Sequence, residues 1–297
     1  MTQEQFQQLT GYARRFSFCI TCRDRAYHLL ETLPQTLKVI NHELDEVVIY
    51  DDYSATDRLR FKLCQEFPDD LRAGHLKLFS ACNEKLYHSA YAKNVAHLLG
   101  EGQALVNLDA DNVVRLEWYE QLQRAFPDCR KQLAPRVAYN PLSETGGTKG
   151  RLVVDASLFL TLGGYDERLT GYGGDDLDLA GRAIAYAKKN SSCLVQLVCS
   201  GADCIQHGDD VRAYGQENGE SIKASTARNR QLSCEPVDPE RPWLANVGKV
   251  WGVARLTDAF GNERCVGALD GRRDSPSAVL VARERPAWTR VPCLPTL

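Results

Sequence analysis

Four short apolar runs, each breaking off in polar residues, constrain this chain more than any other feature. They are FSFCITCRDR from residue 16, LDEVVIYDDYS from residue 44, HLKLFS at 75–80 and ALVNLDAD at 104–111. Between them lie stretches of helical spacing. Leucine or isoleucine at 29, 30, 33, 37 and 40 recurs at the interval of an amphipathic helix, Pro34 notwithstanding. Residues 89–100 (SAYAKNVAHLLG) and 116–126 read as helices too, the first closed by Gly100 as a C-terminal cap. Ser54 or Thr56 is placed to cap a helix reaching to about residue 67. Residues 3–15 read as a short helix or arm. Strands that are apolar on both alternations are buried on both faces. The pattern therefore predicts an α/β fold, with a mostly parallel central sheet flanked by helices.

In such a sheet ligands bind beyond the carboxyl ends of the strands. Residues 21–23, the pair Asp51 and Asp52, and residues 109–111 all fall there, so three polar clusters converge on one rim. In Asp109-Ala110-Asp111, alternate residues at a strand end bring two carboxylates near one divalent cation, and hard oxygen ligands suit Mg²⁺ or Mn²⁺. The same residues also describe a solvated turn. Asp51 and Asp52 either accept hydrogen bonds from a base or ribose or cap a helix. Arg23 and Arg25 on the first strand-to-helix loop, with Lys93 and Asn94 further on, face phosphate or base, or else belong to a solvated helix face.

The second half changes character. Residues 141–150, PLSETGGTKG, form a turn-rich loop suited to closing over a ligand. Residues 163–182 read GGYDERLTGYGGDDLDLAGR. Glycines at 171, 173 and 174 allow φ > 0 and close approach of backbone to a ligand. Asp175 and Asp176 then open a helix expected over 176–189, with Asp178 two residues on. Acids at a helix start favour the macrodipole; alternatively one of them is a general base toward a hydroxyl. A further strand is expected at 193–200. His207, within DCIQHGDD, is a structural or solvated histidine, or a third ligand beside the carboxylates, a set that suits Mn²⁺. Beyond about residue 230 the periodicity fades and prolines collect, so 231–297 is expected to be a small subdomain or wrapping tail.

Composition narrows the class. The 297 residues carry a formal charge of -3 without a concentrated basic face, which argues against a nucleic-acid partner. No apolar run approaches the roughly 18 residues that span a bilayer, and the N-terminus is polar. A cytoplasmic protein without a transmembrane segment is expected. The cysteines number 11. Cys19, Cys193 and Cys199 sit in strand-like runs and read as buried small hydrophobes in a reducing compartment. Cys19 and Cys22 form a C-x-x-C pair with no second pair at zinc-ribbon spacing.

Taken together, these segments resemble the metal-dependent glycosyltransferases of the GT-A fold. FCITCRDR, VVIYDDYSATD, YAKN and LVNLDAD are similar to family 2 glycosyltransferases. GGYDE followed by GYGGDDLDLAGR resembles the GGFDE and GWGGED-x-DL motif of galactosyltransferases and polymerising relatives. The likeness covers about 16–230. It implies a catalytic domain over 1–230, with a nucleotide half near 16–112 and an acceptor half near 150–230, and a C-terminal extension over 231–297. It further implies that Thr21, Arg23 and Asp51 or Asp52 hold the nucleotide, with Arg25, Lys93, Asn94 and Asp109 beside it. Asp109, Asp111 and His207 match metal ligands for Mn²⁺ or Mg²⁺. Asp176 matches the base of inverting members, where retaining relatives carry an amide that cannot take a proton. Tyr172, Gly173, Gly174 and Asp175 match the acceptor loop, although Tyr172 stands for the usual Trp and Asp175 for Glu. The implied partners are a nucleotide diphosphate sugar, of the UDP class, and a glycan or other hydroxyl acceptor in polysaccharide biosynthesis. The implied setting is a soluble bacterial enzyme, with room for peripheral membrane association. Two rivals differ in class. A nucleotidyltransferase would need a glycine-rich phosphate loop, and CITCRDR has no glycine. A non-catalytic nucleotide-sugar-binding module would not need the whole acidic set.

Overall fold

The computed structural model describes residues 2–83, 85–127, 136–139, 150–190, 193–196, 203–207, 219–269 and 279–282. The first half alternates as its spacing requires: α1 (Gln3–Thr10), β1 (Arg14–Cys22), α2 (Ala26–Val39), β2 (Glu46–Asp51), α3 (Leu59–Glu66), α4 (Pro68–Ala73), β3 (Leu76–Ala81), α5 (Ser89–Leu99), β4 (Gly102–Asp109) and α6 (Leu116–Ala125). The second half supplies β5 (Arg136–Tyr139), β6 (Leu152–Asp155), α7 (Ala156–Thr161), α8 (Asp175–Asn190), β7 (Cys193–Gln196), α9 (Ile222–Ser233), β8 (Val250–Asp258), β9 (Glu263–Leu269) and β10 (Val279–Ala282).

These strands form one sheet in the order β10-β9-β8-β3-β2-β1-β4-β6-β5-β7. Its centre, β3-β2-β1-β4, is parallel throughout. Antiparallel neighbours follow on both sides, β8 against β3 and β6 against β4. The described strands within 231–297 thus continue the central sheet.

Helices cover both faces. One face buries Leu29, Leu33 and Leu37 of α2, Leu63 of α3 and Trp118 and Leu122 of α6 against Phe16, Phe18 and Ile20 of β1. The other buries Ala92, Val95 and Ala96 of α5, Phe159 of α7, Leu179 and Ala183 of α8 and Trp251 of β8. The two-residue period of β1 explains why both faces are apolar, and it separates the C-x-x-C pair. Cys22 points into the first layer and Cys19 into the second, so the two thiols cannot share one zinc ion.

Local details differ from expectation. Neither Ser54 nor Thr56 caps α3, which is preceded at the cap position by Arg58 in the left-handed region, with no side-chain cap. Instead Ser54 Oγ accepts the Asp24 N–H at 2.9 Å, and the Thr56 N–H and hydroxyl donate to Asp24 Oδ1 at 2.7 and 2.8 Å. These bonds fix the β1–α2 loop, which carries Arg23 and Arg25. Gly100 does end α5, but in an extended conformation rather than the left-handed one. Pro34 is accommodated inside α2. Of the loop expected at 141–150, residues 141–149 lie outside the described residues, as do residues 197–200, including Cys199, of the strand expected at 193–200.

Candidate active site

The parallel register sets the rim. Thr21 of β1 lies beside Asp109 of β4, and Cys22 of β1 beside Asp51 of β2. Beyond these ends opens a cleft of about 310 Å³. Of the residues singled out by sequence, it is lined by Thr21, Arg23, Arg25, Asp52, Lys93, Asp109, Asp111, Tyr172, Gly173, Gly174, Asp175 and Asp176.

Adjacent acids at the end of β2 divide their tasks. Asp51 turns away from the cleft and accepts the Ser54 N–H at 2.8 Å, holding the turn. Asp52 faces the cleft, where Oδ1 accepts from the Tyr50 hydroxyl at 3.0 Å and Oδ2 lies 3.5 Å from the Arg23 guanidinium. Oδ2 is buried and has no hydrogen-bond donor among the described residues. Burial pushes the Asp52 carboxyl up to about 6, against the pull of Arg23. A buried acceptor left open in a cleft is suited to a ligand N–H or O–H.

Of the three residues expected to ligate a metal, Asp111 and His207 are brought into direct contact. His207 Nε2 lies 2.6 Å from Asp111 Oδ2, and the Arg25 guanidinium lies 3.6 Å from the same oxygen and 3.3 Å from His207 Nε2. The backbone brings them together. Residues 203–207 dock on 111–113 through Ile205 N–H to Asp111 carbonyl and Val113 N–H to Asp203 carbonyl, each 2.8 Å. Arg151 fastens that junction. It is fully buried and donates to Asn112 Oδ1 at 2.9 Å, to the Val113 carbonyl at 2.7 Å and to the Asp203 carbonyl at 2.6 Å. Its guanidinium also lies over Trp118, 5.2 Å from the ring centroid. Sequence reading passed over Arg151. The signal for it was an arginine heading an otherwise apolar strand.

The third wall is the start of α8. Lys93, buried on α5, donates to Asp175 Oδ2 at 2.8 Å and to both oxygens of Asp176 at 2.7 Å. Ser89 adds a 2.8 Å bond to Asp175. The two acids are driven apart. For Asp175, burial alone would raise the carboxyl, but Lys93 and Ser89 outweigh it and the value is lowered. For Asp176, burial dominates, Lys93 opposes, and the charges of Asp175 and Asp109 add, so it is pushed up to about 7. Burial also raises Asp109. Asp109 and Asp176 approach Gly150 from two sides: a Cβ there would lie 3.0 Å from an oxygen of each. A Cβ at this position would press both carboxylates back by a few tenths of an ångström.

The loop over this wall is held from a distance. Gly173 has φ +85, and a Cβ on it would lie 2.6 Å from Thr226 Oγ1 of α9. Ser225 donates to the Tyr172 carbonyl at 2.9 Å, and Asn229 to the carbonyls of Thr170 and Gly173 at 3.1 and 2.7 Å. Ser225 and Asn229 are both buried, four residues apart on one face of α9. The weak apolar patterning of that helix hid its role.

Asn94 does not reach the cleft. Its Oδ1 accepts the Tyr165 N–H at 2.7 Å, and its amide donates to the Tyr165 carbonyl at 2.9 Å and to Glu167 at 3.0 Å. One step along α5 from Lys93, it points behind the wall and braces the 163–167 loop. Tyr87, Ser89, Gly150 and Leu177 line the cleft without having been singled out.

Residues 17–176 match the sequence family described as glycosyl transferase family 2. Curated protein sequences give no match. Among solved structures, the fold is similar to a mannosyltransferase, PcManGT from Pyrobaculum calidifontis in complex with GDP-Man and Mn²⁺. The TM-score is 0.52 at 15% identity, covering 81% of this chain and 73% of that one. A mutant of Drosophila β1,4-galactosyltransferase 7 in complex with manganese, UDP-Gal and xylobiose has a TM-score of 0.49 at 10% identity over 92% of this chain and 95% of that one. S. aureus TarS 1–349 in complex with UDP has 0.46 at 15% identity over 57% of this chain. This chain covers 54% of that TarS fragment. At these identities the likeness is one of fold.

Proposed function

The chain belongs to glycosyl transferase family 2, and on that premise we propose that its cleft moves a sugar from a UDP-class nucleotide diphosphate sugar to a hydroxyl of a glycan acceptor, with inversion at the anomeric carbon. It is a glycosyltransferase of GT-A fold, so the questions are which groups act and how.

One observation carries the reading. Asp176 is a carboxyl pushed up to about 7, at the mouth of a glycine loop and across Gly150 from Asp109. A base works best when its pKa lies near the operating pH. The acceptor hydroxyl gives its proton to Asp176 as its oxygen bonds to the anomeric carbon. The bond from that carbon to the diphosphate oxygen breaks on the opposite side. Asp175 stays ionised and keeps Lys93 as its partner, so protonating Asp176 does not strand a buried ammonium.

On the donor side, Asp52 Oδ2 accepts from the nucleobase or ribose, with Arg23 and Thr21 beside it. Asp109, Asp111 and His207 would hold the cation. Asp111 and His207 are in contact and Asp109 lines the same cleft, and two carboxylates with an imidazole are a donor set whose chemistry suits Mn²⁺ or Mg²⁺. Bound there, such a cation neutralises charge on the departing diphosphate. Arg25, already against Asp111 and His207, adds a fixed positive charge to the same corner.

The test is Asp176→Asn. Transfer is expected to fall by about 10²–10⁴-fold with UDP binding retained, the usual worth of a general base. Near-normal turnover in the variant would remove the base from this residue, and full activity in excess chelator would remove the cation.

A further inference from the structure

The end of the sheet away from the cleft carries a second cluster of ligating groups. His42 lies in the turn before β2, Asp70 in α4 and His75 immediately before β3. The amino ends of β2 and β3 are six residues from the catalytic rim, about 20 Å at the rise of a strand. One ligand atom from each residue lies within 4.8 Å of the others. The two imidazole rings stand 4.4 Å apart at 52°. All three side chains are half-buried, so a cation could reach them and still be partly shielded.

The spacings suit coordination better than hydrogen bonding. His75 Nδ1 and Asp70 Oδ1 are 3.8 Å apart. That is too long for a hydrogen bond, yet within reach of two ligands that each sit about 2.0–2.2 Å from one cation. The backbone fixes the pair: the His75 N–H donates to the Asp70 carbonyl at 3.1 Å, across the turn at Gly74. The turn carrying His42 is pinned by Asn41 Oδ1, which accepts from Glu43 and Leu44 at 2.9 and 3.3 Å. His42 Nε2 is hydrogen-bonded to the Leu37 carbonyl. In the uncharged ring, that bond leaves the lone pair on Nδ1, the outer-shell arrangement that orients a metal-binding imidazole. Arg14 brings positive charge to this edge, but Glu46 offsets it at 4.0 Å and the Glu43 carbonyl takes its Nη1 at 3.3 Å.

We infer that His42, Asp70 and His75 form a binding site for one zinc-class divalent cation, separate from the catalytic cleft. Two imidazoles and one carboxylate with a position left for water favour Zn²⁺, whereas Mg²⁺ and Mn²⁺ prefer oxygen-rich sets. A cation held there clamps the α2–β2 turn to the α4–β3 turn.

The test is Zn²⁺ titration of the full metal-free chain by calorimetry, with Mn²⁺ in large excess to occupy the cleft. The result expected is one equivalent of Zn²⁺ bound, with a rise in Tm. His75→Ala and the near-isosteric Asp70→Asn should each weaken binding at least about tenfold while far-UV circular dichroism is unchanged. Should His75→Ala fail to fold, Asp70→Asn and His42→Gln carry the test. No Zn²⁺ bound to the wild type, or the same stoichiometry and affinity in all folded variants, overturns the site. The second result would assign the metal to thiols such as Cys234 and Cys265, which are free and exposed.

Discussion

Lys93 donates to both oxygens of Asp176 at 2.7 Å. It also donates to Asp175, so one ammonium holds two carboxylates in a site where burial disfavours every charge. Asp175 is held below the usual carboxylate range, whereas burial and the charges of Asp175 and Asp109 push Asp176 up.

Removing the ammonium should therefore shift the pH at which the enzyme works. Lys93 lowers the Asp176 pKa, so in Lys93→Met that pKa rises above about 7. More of Asp176, the proposed base, is then protonated at neutral pH. The acidic limb of kcat/KM against pH should move upward, with a loss of roughly tenfold or more at pH 7 that narrows toward pH 9. An unmoved limb would mean that the two residues do not act together.

The proposed acceptor role of the loop at 171–174 can be tested without touching the donor. Gly173→Ala forces a side chain into a left-handed position, at a cost of about 1–2 kcal/mol, and against Thr226. The acceptor KM should rise about tenfold while the UDP dissociation constant is unchanged. Equal losses in both constants would indicate a general collapse of the cleft.

Arg151 is not among the residues lining the cleft and fastens residues 203–207 to 111–113. Lysine cannot reproduce three donations from one planar head. In Arg151→Lys, the Mn²⁺ concentration giving half-maximal activity should rise about 10–100-fold, as for the loss of other groups that orient metal ligands. Acceptor KM measured at saturating Mn²⁺ should stay put. The opposite split would move Arg151 to the acceptor side.

Asn94 gives the reverse expectation. Asn94→Ala leaves the Tyr165 N–H without its acceptor, although Asn246 still donates to the Tyr165 carbonyl, and should cost about 1–3 kcal/mol in urea unfolding. UDP affinity should hold within about twofold. Lost affinity with unchanged stability would return Asn94 to the nucleotide.

How far the sequence reached can be judged residue by residue. Apolar runs ending in Asp51, Asp52 and Asp109 located both the parallel core and its rim, because burial on two faces leaves an unmistakable composition. Asp111 and His207 were legible as types, and they do meet. What escaped depends on facing. Lys93 and Asn94 are neighbours, so spacing treated them alike, although a helix turns them to opposite sides of one wall. Asp51 and Asp52 posed the same ambiguity at a strand end. Arg151, Ser225 and Asn229 were invisible for another reason. Each satisfies carbonyls of segments remote in sequence, and no local period records such a bond. The same distance explains why residues after 230 looked patternless, although Trp251 proves to be one of the largest fully buried side chains.

Cys19 and Cys22 have a use outside catalysis. Because β1 directs them into different layers, both free and buried, the native fold forbids a disulfide between them. That bond can close only in a chain whose central strand has come apart. Its appearance in a stored sample would be a chemical record of unfolding, readable by mass spectrometry after the fact, and reductant during refolding guards the strand on which the whole rim depends.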